Sequence, residues 1–339
     1  MKAIVYTAYG PPDVLQLQEI PTPKPKANEV RIRIRAASVN FGDLLVRKLG
    51  QVTPAQFHMP ALFLMLAKLY FGIFRPRRAI LGSEFAGDID TVGSAVTRFN
   101  PGTPVFGFVG PRMGAYAEYI CMSENGILTE KPANLTYEQA AVVPYGAMMA
   151  LKMIGRLDLR PGQKVLVNGA SAGIGSLALQ IAKHRGATVT GVCGTQRMEF
   201  VRALGADRVI DYAREDFTAG DERWDVIFDI LGKGSFDKAR RVLAPDGRYV
   251  YVSFKSKQLM QMLRTRLTGG PRALCASETE QLADLVAVKG LFESGALTTV
   301  IDRTFPLEQA ADAHRYVESG TKAAQVAITV GAPMGSPLY

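Results

Sequence analysis

Lys164-Val165-Leu166-Val167-Asn168-Gly169-Ala170-Ser171-Ala172-Gly173-Ile174-Gly175 is the stretch from which the rest of the chain is read. An apolar strand runs straight into a loop of small residues and then into an apolar-periodic helix over Ile174–His184. Small residues let the backbone approach a diphosphate, and the N–H groups and positive dipole end of the helix favour its charge. Ala170, Ser171, Ala172, Gly173, Ile174 and Gly175 are therefore the candidate phosphate-facing residues. Against the pattern G-x-G-x-x-G, alanine replaces two of the three glycines (Ala170, Ala172), so the strand–turn–helix context carries the reading more than the motif does.

Strands and helices alternate outward from this loop. Strands are expected at 188–193, 208–210, 224–229 and 248–253, with helices at 198–204 and 235–242 between them. Alternation at this spacing predicts α/β architecture, a doubly wound parallel sheet of the Rossmann type. The second strand ends in Cys193-Gly194-Thr195-Gln196-Arg197. It has no carboxylate for an adenosine ribose, while Thr195 is a hydrogen-bonding group and Arg197 a partner for a 2′-phosphate, which predicts NADP(H) as cofactor. A rival pattern, Gly169-x-x-x-Gly173-x-Gly175 with Tyr251-x-x-x-Lys255, matches short-chain dehydrogenases. There, however, the loop lies near the N-terminus and Tyr and Lys share a helix, whereas Tyr251 here sits in an alternating strand.

Before this section, short alternating runs at 3–6, 29–37, 87–92, 104–108 and 115–121 are punctuated by Pro and Gly and predict a mostly antiparallel β domain. Thr136, with Gln139 three residues on, starts a helix. After residue 276 come a helix over 278–293, a strand near 299–301, a helix over 307–317 and a strand over 325–330. The expected division is residues 1–124 as substrate domain, 125–276 as nucleotide domain and 277–339 as a return to the first.

The 339 residues are 47% hydrophobic and 21% charged, with no low-complexity tract. Cys121, Cys193 and Cys275 are odd in number and far apart, so neither a disulfide framework nor a cysteine zinc site is expected, and a reducing cytoplasm fits. The net charge of +9 concentrates in Arg75–Arg78 and in 255–272, each beside Leu, Met and Phe. These are read as solvated edges rather than a membrane face, and no nucleic-acid partner is expected. Met59–Phe74, interrupted by Lys68 and too short to span a bilayer, is expected to be a buried or pocket-lining helix.

Several ordered motifs together resemble the medium-chain dehydrogenase/reductase superfamily, in its zinc-free quinone oxidoreductase branch. They are Ser38-Val39-Asn40-x-x-Asp43, Leu81-Gly82-Ser83-Glu84-Phe85-Ala86-Gly87, the loop 167–175, the run 201–207 with Val209-Ile210-Asp211-Tyr212, and Val300-Ile301-Asp302-Arg303. The resemblance implies a mostly β, GroES-like substrate domain built from both ends of the chain, and a homodimer. It also implies that Asn40 and Asp43 stand at the mouth of the nicotinamide site, that Tyr145 occupies a metal-ligand position of the zinc enzymes, and that Tyr212, Gly232, Ser253 and Phe254 line the cofactor groove. Asn40 and Ser83 replace a Cys and a His that bind zinc in relatives, and His58, His184 and His314 show no ligand spacing, so no metal is expected.

Without a Lewis acid, the manageable reaction is hydride addition to a quinone or to the activated C=C of an α,β-unsaturated carbonyl, whose conjugation spreads the developing charge. The expected substrate is a small apolar molecule. Tyr145 is a candidate to hydrogen-bond its oxygen or supply a proton, or else a core tyrosine. Asn40 is alternatively a turn cap, and Asp43 a structural carboxylate. Met149 stands where relatives carry Thr, and Ala324-Gln325 where they often carry Gly-Lys. The long apolar segment 53–80 suggests a lid or wall for a bulky substrate. Two other readings stay open: an enoyl-thioester reductase, and a non-catalytic NADP(H)-binding redox sensor or membrane-associated protein.

Overall fold

The computed structural model describes residues 1–57, 59–276 and 279–331; His58 and Glu278, both named above, lie outside them. The first half runs β1 (Lys2–Val5), β2 (Gln16–Glu19), β3 (Glu29–Ser38), α1 (Phe41–Arg47), α2 (Ala61–Phe71), β4 (Glu84–Val92), β5 (Pro104–Phe108), β6 (Tyr119–Ser123) and β7 (Ile127–Glu130). β3 alternates Val30, Ile32 and Ile34 inward against polar Glu29, Arg31, Arg33 and Arg35, the period-two pattern of a sheet with one buried face. It pairs antiparallel with β4 and β6.

α3 (Tyr137–Ala141) begins in a capping box in which Thr136 accepts from the Gln139 backbone N–H and Gln139 from that of Thr136. α4 (Pro144–Gly155) follows, beginning at a proline, which suits a first helical turn and sets Tyr145 at a helix start. The alternating section is β8 (Lys164–Asn168), α5 (Gly173–His184), β9 (Thr188–Cys193), α6 (Met198–Ala203), β10 (Arg208–Asp211), β11 (Trp224–Asp229), α7 (Phe236–Ala239), β12 (Leu243–Tyr251), α8 (Ser256–Thr268) and β13 (Arg272–Cys275). All six strands are parallel, in the order β10-β9-β8-β11-β12-β13. With β8 first, this is the 3-2-1-4-5-6 order of a dinucleotide-binding sheet. β13 and α8 had not been read from the sequence.

The chain closes with α9 (Leu282–Glu293), β14 (Ile301–Pro306), α10 (Ala310–Glu318) and β15 (Gln325–Thr329). β14 and β15 join the other sheet, in the order β14-β15-β3-β4-β5-β7. α9 buries Leu285, Val288 and Phe292 in the core that holds Val167 and Phe228, on the nucleotide side. The fold is α/β, with a Rossmann sheet and a mostly β domain assembled from both ends of the chain.

One expectation is corrected here. Segment 59–74 does form a helix, but it is not buried: only Leu64 and Phe71 of α2 are inside, while Leu62, Met65, Leu66 and Leu69 face outward. Hydropathy measures how apolar a stretch is, and cannot by itself distinguish a core helix from an apolar surface.

Candidate functional site

Gly169 turns the chain out of β8 with φ +93°, a conformation other residues rarely adopt. A Cβ on Gly175 would lie 2.1 Å from the Gly169 carbonyl, so the first turn of α5 can lie this close only with glycine there. Ala172 caps α5 without a side-chain hydrogen bond, leaving the first-turn N–H groups to face outward. The Gln325 amide reaches this loop, 3.0 Å from where a Gly173 Cβ would stand. Relatives' lysine at that position is thus replaced by a neutral hydrogen-bonding group at the phosphate loop.

At the end of β9, the Thr195 hydroxyl donates to Asp211 (2.5 Å), and the Arg197 guanidinium donates to the Gly320 carbonyl (2.5 Å). The Asp211 carboxylate is further occupied by the Ala213 N–H, and these hydrogen bonds lower its pKa. Thr195 therefore spends its proton inside the protein. Lys322 stands beside Arg197, and burial together with that neighbouring positive charge lowers its pKa. The Asp302 carboxylate, also near Lys322, opposes that lowering. Lys322 is 125 positions from Arg197, and no local pattern marks it. Tyr212 is exposed, its hydroxyl over Gly194.

The groove floor is organised by Asp229 at the end of β11. It accepts from Asn168 Nδ2 (3.1 Å), the Gly234 N–H (2.8 Å) and the Tyr249 hydroxyl (3.1 Å), while burial raises its pKa. Gly232 has φ +64°, and a Cβ there would meet the Ser253 carbonyl at 2.4 Å. Gly232 and Ser253 are thus brought together. The Phe254 side chain is buried in the core with Phe236 and Tyr251. Tyr251 is itself buried in β12, its hydroxyl accepting from the Phe236 N–H and donating to Gln261.

In the β domain, Asn40 is the N-cap of α1 and shares a capping box with Asp43. Its amide donates to Ser83 Oγ (2.8 Å) and Glu84 Oε2 (2.8 Å). Glu84 also accepts from the Ser38 hydroxyl (2.7 Å) and, through Oε1, from the Tyr145 backbone N–H (2.7 Å). Glu84 therefore clamps β3, α1 and the start of α4 together; burial raises its pKa against these three donated bonds. Asn40 and Ser83 are thus engaged with one another, and Asn40 with Glu84 as well. Among the described residues, no group of three or more His, Cys, Asp and Glu is placed to hold a metal ion. The Tyr145 ring stacks on Phe108 (centroids 5.5 Å apart), and burial pushes its hydroxyl up to about 12, so it is protonated at neutral pH.

Asp43 is fully buried. It accepts from the Asn40 N–H (3.0 Å), the Gly82 N–H (3.2 Å) and the Tyr116 hydroxyl, and burial raises its pKa to about 7. Beyond Tyr116 lies His314 Nε2 (3.1 Å), and Arg47 donates to His314 Nδ1 (3.0 Å). Arginine can only donate, so Nδ1 is the acceptor, Nε2 carries the proton to Tyr116, and Tyr116 donates to Asp43. Burial and the Arg47 charge lower the His314 pKa to about 3. His314, read from the sequence as a lone histidine, is the middle of this chain, and Asp43 positions α1 and the turn at Gly82.

Residues 26–133 match the family described as alcohol dehydrogenase GroES-like domain, and residues 204–328 the family described as zinc-binding dehydrogenase. The chain is 32% identical to an NADPH-dependent alkenal/one oxidoreductase, chloroplastic, of Arabidopsis thaliana, over 97% of this chain and 79% of that one. It is 31% identical to a quinone oxidoreductase of Pseudomonas aeruginosa, over 92% and 94%. The structure of the quinone oxidoreductase from Coxiella burnetii superposes with a TM-score of 0.82 at 29% identity, over 98% of this chain and 99% of that one. Sheet order, domain pairing and these likenesses agree: the chain belongs to the medium-chain dehydrogenase/reductase superfamily and is an oxidoreductase of its quinone oxidoreductase and enone reductase branch.

Proposed function

We propose that this protein is a zinc-independent, NADPH-dependent oxidoreductase that transfers hydride to a quinone or to the activated C=C of an α,β-unsaturated carbonyl. The observation that carries the cofactor choice is Arg197 after β9, with Lys322 within electrostatic reach of it and no carboxylate at the end of β9 free for a ribose. The loop fits the rest of the dinucleotide: Gly169 makes the turn, Gly175 lets α5 start close against it, and the uncapped first turn of α5 turns N–H groups toward a diphosphate. Tyr212, Gly232 and Ser253 belong to the same groove. When bound, the reduced nicotinamide supplies the hydride.

The residues of the chain position and hold protons. Asn40, fixed by Ser83 and Glu84, offers a rigid polar edge near Tyr145. Tyr145 keeps its hydroxyl proton at neutral pH and hydrogen-bonds the substrate oxygen as negative charge develops there. Zinc independence follows from donor chemistry: Asn40 is a neutral amide and Ser83 Oγ already accepts from it, neither being a ligand that suits zinc. The NADPH-dependent alkenal/one and quinone oxidoreductase relatives support the acceptor class. Homodimerisation and a cytoplasmic setting belong to the same proposal, on family resemblance and cysteine usage.

The experiment is NADPH oxidation by chelator-treated protein against a panel of quinones and short enones. Turnover that survives the chelator identifies the acceptor class; loss of turnover on chelation, restored by zinc, contradicts the reading.

A further inference from the structure

We propose that α2, the loop after it and α8 form a face that docks on an anionic lipid bilayer. Residues 44–83 contain no Asp or Glu and carry six Lys and Arg; residues 247–277 contain none and carry six more. Without these twelve cations, the remaining 28 Lys and Arg meet all 31 Asp and Glu, and the net charge changes from +9 to −3. The excess positive charge therefore falls in these two segments, although Arg47 is buried against Glu318 and takes no part in the exposed face.

Those segments also hold most of the exposed large apolar side chains. Leu62, Met65, Leu66 and Leu69 recur at i, i+3, i+4 and i+7, forming one outward stripe along α2. The stripe runs on into a loop tip where Phe74 is 91% exposed, next to Arg75. On α8, Met260, Leu263 and Leu267 repeat the spacing, with Leu267 87% exposed and Arg264 among them. The Lys255 ammonium donates to the Ala55 carbonyl (2.7 Å), joining the start of α8 to the loop that feeds α2.

An apolar ridge edged by cations, with no Asp or Glu in its own two segments, suits a lipid headgroup layer. The apolar side chains enter the acyl boundary, and the Lys and Arg meet anionic headgroups. A second copy of this chain is a poor occupant, because two basic faces repel each other. No helix among the described residues is long and apolar enough to cross a membrane, so this face lies on a bilayer rather than through it. Lys255 lies two residues after Ser253, so the face borders the proposed cofactor groove. A lipophilic quinone or enone could then pass from bilayer to cleft; that last step rests on the proposed function, while the docking does not.

The test is flotation of the full chain with vesicles of phosphatidylcholine alone and of phosphatidylcholine with phosphatidylglycerol, read without cofactor or acceptor. Binding is expected only to the anionic vesicles, falling as salt rises. The double charge reversal Arg75→Glu/Arg264→Glu should weaken it by about tenfold or more, and Leu66→Ser/Phe74→Ser should weaken it even at low salt. Turnover of a water-soluble acceptor should be unchanged in the charge-reversal variant, so a failure of docking and a failure of the enzymatic reading are told apart. No flotation of the wild type overturns the proposal, as does equal binding by both variants. A dimer in sedimentation that dissociates on Phe74→Ser, without vesicle binding, would also overturn it and give the face to self-association.

Discussion

Two polar regions of this molecule are built on opposite terms. Beneath α1, the chain Asp43–Tyr116–His314–Arg47–Glu318 is closed: every donor has an acceptor inside the protein, and Arg47, 1% exposed, is held by the Gly10 carbonyl, His314 and Glu318. At the nucleotide edge the terms are reversed. Arg197 and Lys322 bring two positive charges near one another with only the Gly320 carbonyl and Asp302 nearby to offset them, and α5 begins without a side-chain cap. Polarity satisfied internally fixes a geometry, whereas polarity left open marks where a ligand belongs. Substitutions in the first region should therefore act on stability, and those in the second on cofactor affinity.

The largest effect should come from Arg47→Ala. It leaves the Glu318 partner and two buried acceptors unmatched, a loss of about 3–5 kcal/mol of stability, read by denaturant unfolding, with NADPH affinity of the folded fraction unchanged. Next is Arg197→Ala/Lys322→Ala, expected to cost about 1.5–3 kcal/mol of NADPH binding, while NADH binding and unfolding in the absence of cofactor stay near wild type; titration calorimetry reads both nucleotides. Asp43→Asn should cost about 1–3 kcal/mol of stability, because the new NH₂ group must face either the Asn40 or the Gly82 N–H.

The smallest effect concerns pH. His314 has its pKa lowered in the fold to about 3 from 6.5, so the unfolded chain binds its proton first as pH falls. Its contribution to stability is full above about 6.5 and is lost down toward 3. Asp43, raised to about 7 from 3.8, works in the opposite sense: its contribution is full below 3.8 and is lost as pH rises through about 7. The two oppose each other between about 4 and 6.5, so the wild type should be nearly flat there. His314→Gln should uncover the Asp43 slope, with stability falling as pH rises; unfolding curves across that window check the sign.

What could be read from the residues follows the same division. β8 and α5 were legible because a strand buried on both faces reads as a continuous apolar run, and a helix needing close approach reads as small residues. β13 was not: Arg272-Ala273-Leu274-Cys275 is four residues after Gly-Gly-Pro, too short to show a period. α2 was found as a helix but placed inside. At the site, Asn40, Tyr145 and Arg197 could be named from motifs. Lys322 and His314 could not, since their meaning lies in partners that only the fold brings near: Arg197 for one, Tyr116 and Arg47 for the other.

The most direct test of the central claim is NADPH against NADH specificity, measured as kcat/KM with a quinone or enone acceptor on chelator-treated wild type and on Arg197→Ala/Lys322→Ala. The account predicts a wild type that strongly prefers NADPH and a variant that loses roughly 10- to 100-fold on NADPH with little change on NADH. Equal use of both nucleotides by the wild type, or an NADPH preference that survives the double substitution, would contradict it.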